Sequence, residues 1–175
     1  MQVIPTTFDG KRSIPSEAVT RVMLELLELN PEDIVLEIGT GSGFQTGVFA
    51  GFGCKVYSIE CEPWIDTTKA IGDYIFLYPG DGRLGLPEHA PFTAIVATCG
   101  ILDIPRAWEE QLAIGGRLVV PIGAPESQRL TLFVKDRSGL VPKRIGAYVR
   151  FQMLREKPIP KPVKPVYKER PDAME

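Results

Sequence analysis

The chain has 175 residues, of which 44% are hydrophobic and 24% charged, with a formal net charge of -2 and a pI near 5.6. A single domain of this size can bury a sizeable core, and its charge balance excludes a globally basic nucleic-acid binder. No apolar run approaches the roughly 20 residues of a membrane span. The opening Met-Gln-Val-Ile-Pro lacks a basic-then-apolar leader pattern, so a cytoplasmic location is expected.

Residues 1–12 read as polar and irregular. Ser16 is placed to cap a first helix. Val19, Val22, Met23, Leu26 and Leu27 then recur at helical spacing and give it one apolar face. Asn30-Pro31 ends that helix. The run Ile34–Ile38 reads as a buried parallel strand, with Glu37 near its end. Gly39-Thr40-Gly41-Ser42-Gly43 follows at once, and residues 44–52 predict the helix that leaves it. Strand, glycine loop and helix together make a nucleotide-type binding corner.

The spacing selects among nucleotides. The dinucleotide fingerprint places a third glycine where this chain has Phe44. A pyrophosphate at the loop would be repelled by Glu37, whereas an ammonium or sulfonium would be attracted. These features point to S-adenosylmethionine (SAM) as the ligand. The plainer reading of Glu37 is a strand-end carboxylate bonded to loop amides.

Residues 55–60 predict the next strand. It ends in Glu60, about 20 residues past the loop, where such folds place the acid that accepts ribose hydroxyls. Cys61 reads either as a ligand neighbour or as a packed thiol. Residues 63–71 suggest a short helix and residues 74–78 a third strand. Gly80-Asp81-Gly82 follows it, where Asp81 could accept from an adenine amino group or simply mark a turn. His89, the only histidine, lies in a proline-bounded loop and reads as a surface residue.

Residues 92–97 form the fourth predicted strand, and 105–112 a helix ending at Gly115-Gly116. Residues 117–121 make a fifth strand and 128–135 an alternating one. After a turn at 136–139, a last strand lies within 145–153. The order predicts an open α/β fold, a mostly parallel sheet flanked by helices with an antiparallel end. One domain over residues 1–156 and a Pro/Lys-rich tail over 157–175 are expected. The tail reads as disordered, or as an arm that wraps a partner subunit in a homo-oligomer. Three cysteines without Cys-x-x-Cys spacing predict neither a metal site nor a disulfide framework.

Residues 35–43, Gln45-Thr46, residues 56–60, the segment 80–92, and Gln111-Leu112 with residues 115–123 resemble protein-L-isoaspartate O-methyltransferases, over roughly residues 16–155. The resemblance implies a Rossmann-like SAM-dependent methyltransferase fold, and methyl transfer from SAM to the free carboxylate of isoaspartyl residues in damaged proteins or peptides. It also implies SAM contacts from Glu37, Gly39, Thr40, Gly41, Ser42, Gly43, Glu60, Cys61, Asp81, Gly82 and Thr98. On the acceptor side it implies a serine before the first helix. An ungapped alignment through Glu25-Leu26-Leu27 puts Pro15 at that place, so Ser13 or Ser16 would serve only with a shift. The segment before that helix and the stretch from Glu60 to Gly80 are both shorter than the family pattern, which predicts a remodelled acceptor site.

A carboxylate acceptor ordinarily ionises near pH ~4 and needs no general base at neutral pH. That agrees with the lack of an obvious catalytic His, Cys or Lys. The alternatives are methyl transfer to a small molecule or nucleic acid, and SAM binding without catalysis.

Overall fold

Apolar runs at 34–38, 55–60 and 92–97 build the centre of the fold. A computed structural model describes residues 15–62 and 74–155, with the strand backbone at 3–4, 6–8 and 13–14. The short strands β1 (Val3–Ile4), β2 (Thr6–Phe8) and β3 (Ser13–Pro15) come first, followed by helix α1 (Glu17–Leu27). Then come β4 (Ile34–Ile38), α2 (Phe44–Gly51), β5 (Lys55–Glu60) and β6 (Ile75–Pro79). β7 (Phe92–Ala97), α3 (Arg106–Gln111), β8 (Leu112–Ala124), β9 (Ser127–Asp136) and β10 (Gly139–Val149) complete the order.

Eight strands form one sheet in the order β1-β10-β9-β8-β7-β4-β5-β6. β6, β5, β4, β7 and β8 run parallel, while β9 and β10 close the sheet antiparallel. Two buried layers cover its faces. Val19, Met23, Leu27 and Phe49 pack on one side with Val35, Val56 and Val96. Trp108, Phe92 and Leu112 pack on the other with Leu36, Ile59 and Ile95. The strand order reverses between β4 and β7, and in an open α/β sheet the crevice at that reversal is the usual ligand site.

Three expectations change. The N-terminal residues are not all irregular: Val3 and Ile4 pair parallel to Tyr148 and Val149, and β2 pairs with β3. The partners of Val3 and Ile4 lie far along the chain, so local composition does not reveal them. The helix expected at 105–112 stops at Gln111, and β8 begins at Leu112, ahead of Gly115-Gly116. Leu112 pairs with Phe92 of β7, which takes the chain into the sheet, and Lys135 from β9 caps the helix end, its Nζ donating to the carbonyls of Glu109 (2.5 Å) and Leu112 (2.7 Å). A bulge between Leu112 and Arg117 then absorbs the glycines in the strand. The last strand also begins earlier than expected, at Gly139. The short helix expected at 63–71 and the tail at 157–175 lie outside the described residues.

α1 is tied to the sheet by charge as well as by packing. Glu28 stands left-handed at its C-cap (φ 48°). Arg117 donates to the carbonyls of Leu27 (2.7 Å) and Glu28 (2.8 Å), satisfying acceptors that a helix end leaves open. The same guanidinium pairs with the buried Asp33, which also accepts from Thr93 Oγ1 at 2.7 Å. Breaking such a pair strands a charge out of water. We expect Arg117→Ala to lower stability by about 3 kcal/mol; a urea midpoint equal to that of the parent protein would refute this.

Candidate active site

At the reversal point, β4 runs directly into the loop 39–43 and β7 into residues 98–100. Gly39 is held at φ +97°, and a Cβ there would lie 2.5 Å from Thr98 Oγ1. A side chain would therefore face both an unfavourable backbone conformation and a clash. Thr98 uses that closeness: its hydroxyl lies 2.5 Å from the Gly39 carbonyl and 3.1 Å from that of Ile38. The hydroxyl joins the two strand-end loops. Gly41 differs, because nothing lies within 4 Å of a Cβ placed on it. Space is left beside the loop.

That space is an open cleft of about 630 Å³, counting the solvent at its mouth. One wall comes from Gly39, Gly41, Glu60, Cys61, Glu62 and Gly82, and the other from Thr98, Cys99 and residues 152–155. Glu60 stands at the end of β5. Its Oε2 accepts from the Gly41 N–H at 2.9 Å and its Oε1 from the Glu62 N–H at 3.1 Å. Each carboxylate oxygen keeps acceptor capacity beyond one such bond. A carboxylate of this kind, an open glycine loop and no bulky side chain at Gly41 fit a ribose and its attached chain.

The other anticipated SAM contacts are placed differently. Glu37 is fully buried beneath the loop and does not line the cleft. Its Oε2 accepts from Thr46 Oγ1 (2.5 Å) and Ser58 Oγ (2.6 Å), and Ser58 in turn bonds Thr40 at 2.6 Å. The carboxylate thus bonds hydroxyls, not loop amides, and Thr40 belongs to this buried chain. Burial, opposed by these two hydroxyls and aided by the charge of Glu60, pushes the Glu37 carboxyl up from 4.5 to about 7. Ser42 and Gly43 lie on the loop outside the cleft wall, Ser42 exposed.

Asp81 is buried and is not among the residues that line the cleft. It accepts from Arg83 N at 2.9 Å and pairs with the Arg83 guanidinium, Nη2 to Oδ2 at 2.5 Å, which holds its carboxyl below the usual range. Gly82 does line the wall, fixed by Trp108 Nε1, which donates to the Gly82 carbonyl at 2.7 Å. Gln111 holds the same loop through Leu84 O and Leu86 N, both at 2.8 Å.

Ser16 caps α1, its Oγ accepting from Val19 N at 3.4 Å, and is not among the lining residues. Ser13 lies in β3, opposite Phe8. His89 is half-buried, not a surface residue, because it stacks on Tyr57 at 4.4 Å and bonds the Tyr78 hydroxyl at 2.8 Å. Cys61 and Cys99 both line the cleft, and withdrawal from water, reinforced by Glu60 and Cys61, pushes the Cys99 thiol up. Cys99 is therefore a neutral thiol at neutral pH, not a nucleophile. Ile38, Ile59, Glu62 and residues 152–155 are the lining residues that motif reading missed. Ile38 and Ile59 belong to the strands that carry the motif and Glu62 lies two residues past Glu60; residues 152–155 carry no local signature. No group of metal-ligating side chains occurs among the described residues, and none of the described helices is long and apolar enough to cross a membrane.

The fold and the glycine-loop cleft define a Rossmann-like SAM-dependent methyltransferase. A Plasmodium falciparum protein-L-isoaspartate O-methyltransferase-type structure, solved with S-adenosyl-L-homocysteine, shares the fold at a TM-score of 0.65 and 17% identity, covering 89% of this chain and 82% of that one. The family described as protein-L-isoaspartate(D-aspartate) O-methyltransferase matches residues 2–158, and this chain belongs to it. The protein-L-isoaspartate O-methyltransferase of Trichlorobacter lovleyi is 38% identical over 153 residues, 84% of this chain and 70% of the relative. That of Gloeobacter violaceus is 36% identical over 161 residues, 88% of this chain and 78% of the relative. A solved protein-L-isoaspartate O-methyltransferase reaches a TM-score of 0.76 at 26% identity; the match covers 89% of this chain but only 53% of that one. The chain thus spans about half the length of that solved relative.

The raised Glu37 carboxyl has a measurable consequence. The folded state keeps a proton that the unfolded chain releases, so this contribution to stability is complete below pH 4.5 and is lost as pH rises through 7. In the ligand-free protein, the stability of wild type relative to Glu37→Gln should fall by about 3 kcal/mol from pH 4.5 to 7.5. Parallel stability–pH curves for the two proteins would contradict it.

Proposed function

We propose that the protein is a SAM-dependent O-methyltransferase acting on the free carboxylate of isoaspartyl residues in damaged proteins or peptides. The observation that carries the cofactor assignment is Glu60: a strand-end carboxylate in the cleft wall, oriented by Gly41 and Glu62 N–H groups. In this reading Glu60 accepts the ribose hydroxyls. Gly39, Gly41 and Gly82 let backbone approach the ligand, and Cys61 and Thr98 complete its surroundings. Ser42 and Gly43 shape the loop from outside. Thr40 and Glu37 support it from below, and Asp81 holds the 81–86 turn.

When bound, SAM supplies a methyl group already activated by its sulfonium. The residues of this chain then need only bind, orient and exclude water. An acceptor carboxylate is ionised at neutral pH, so no side chain has to remove a proton. Positioning alone can supply up to roughly 7–11 kcal/mol of rate enhancement. On the acceptor side we assign the backbone of residues 98–100 and the hydroxyl of Ser13 or Ser16. Ser16 accepts from Val19, which leaves its own O–H to donate. A cytoplasmic location, and a homo-oligomer formed through the tail at 157–175, belong to the same reading.

Labelled methyl should pass from SAM to an isoaspartyl peptide and not to the matching aspartyl peptide, giving a base-labile product. No transfer from a protein that binds SAM would move the assignment to another acceptor or to a non-catalytic binder, readings that the Pro15 substitution favours. Glu60→Ala should weaken SAM binding by about 10- to 100-fold, the worth of hydrogen bonds to a charged group. Unchanged affinity would remove Glu60 from the site.

A further inference from the structure

One chain of contacts crosses the cleft and joins the segment after β10 to Glu60. The segment after β10 is bound to the far wall. Gly100 N–H donates to Gln152 O at 2.9 Å and Leu154 N–H to Gly100 O at 2.8 Å, around a parallel bridge between Gly100 and Met153. Upstream, the fully buried Gln128 grips Phe151 twice: its Oε1 accepts from Phe151 N at 2.7 Å and its Nε2 donates to Phe151 O at 3.0 Å. From this anchored backbone Arg155 reaches Glu62, Nη1 to Oε1 at 2.8 Å. Glu62 N–H donates to Glu60 Oε1 at 3.1 Å, and Gly41 N–H donates to Glu60 Oε2 at 2.9 Å. The contacts run unbroken from the C-terminal segment to the glycine loop.

We propose that Arg155 is a positioning residue for the cofactor, acting through Glu62 to set the orientation of the Glu60 carboxylate. The inference rests on the reading of this cleft as the SAM site. Its physical basis is the burial of Glu62, whose side chain is 9% exposed while that of Arg155 is 41% exposed. A carboxylate so far from water needs a compensating charge. Without Arg155, Glu62 loses this guanidinium while standing two residues from Glu60, and both desolvation and like-charge repulsion drive it toward solvent. The turn 61–62 must move for that to happen, and the N–H that orients Glu60 moves with it. Glu60 then keeps one of its two orienting bonds.

The test uses a ligand-free readout and a binding readout. In the ligand-free protein, Arg155→Ala and Glu62→Gln should each shift the Gly41 amide resonance in a proton–nitrogen correlation spectrum, with melting temperatures close to the parent. By calorimetry, Arg155→Ala should weaken S-adenosyl-L-homocysteine and SAM alike by about tenfold, roughly one hydrogen bond to a charged group. Equal losses matter because S-adenosyl-L-homocysteine lacks the sulfonium charge but keeps the ribose. Arg155→Lys should restore part of the affinity, and the double variant Arg155→Ala/Glu62→Gln should be no weaker than Arg155→Ala alone. An unmoved Gly41 amide, additive losses in the double variant, or a change confined to the peptide KM would overturn the proposal. Failure of wild type to bind either ligand would instead overturn the cofactor reading, and this inference with it.

Discussion

The site depends on a carboxylate that never reaches it. Glu37 lies under the glycine loop, fully out of water, and bonds hydroxyls from α2 and β5. Ser58 passes that contact on to Thr40 in the loop itself. Four polar side chains therefore join the loop, the helix that leaves it and the neighbouring strand into one rigid corner. Buried networks of this kind are costly when incomplete. This one has a buried carboxylate oxygen, Oε1, without a hydrogen-bond partner among the described residues. That shortfall accompanies the high proton affinity of Glu37, since a protonated carboxyl tolerates burial better than an ionised one.

The cleft above this corner is built from three layers of support. Thr98 links the ends of β4 and β7. Trp108 and Gln111 on α3 hold the turn that carries Gly82. The segment after β10 closes the far side by pairing with Gly100. None of these supports is a titrating catalyst, which agrees with chemistry in which the acceptor arrives ionised and the donor arrives activated. An enzyme of this type acts mainly through geometry, and here the geometry is set by backbone pairing and buried hydrogen bonds.

How much could be read from the chain follows the distance over which each feature is encoded. The strand–loop–helix at 34–52 and the strand ending in Glu60 were legible because their apolar runs and glycine spacing are local. The parallel sheet with an antiparallel end followed from the order of such segments. What stayed hidden depends on distant partners. Lys135 caps the end of α3 from another strand. His89 is covered by Tyr57 and Tyr78. Residues 152–155 join the cleft only because Gly100 pairs with Met153. Glu37 shows a related limit: its position in the motif was clear, but its carboxylate is taken up by Thr46 and by Ser58 of the next strand. Asp81 is instead taken up locally, by Arg83 two residues on.

The pairing of β1 with β10 has a consequence for the order of assembly. Val3 and Ile4 are synthesised long before the strand they flank, which ends at Val149. β1 must therefore wait for β10. The central parallel strands can collapse around their own helices before then, leaving β1 to dock onto a finished hairpin. Newly made chains would pass through a stage with an ordered middle and β1 not yet docked, and release of β10 is the event that ends it.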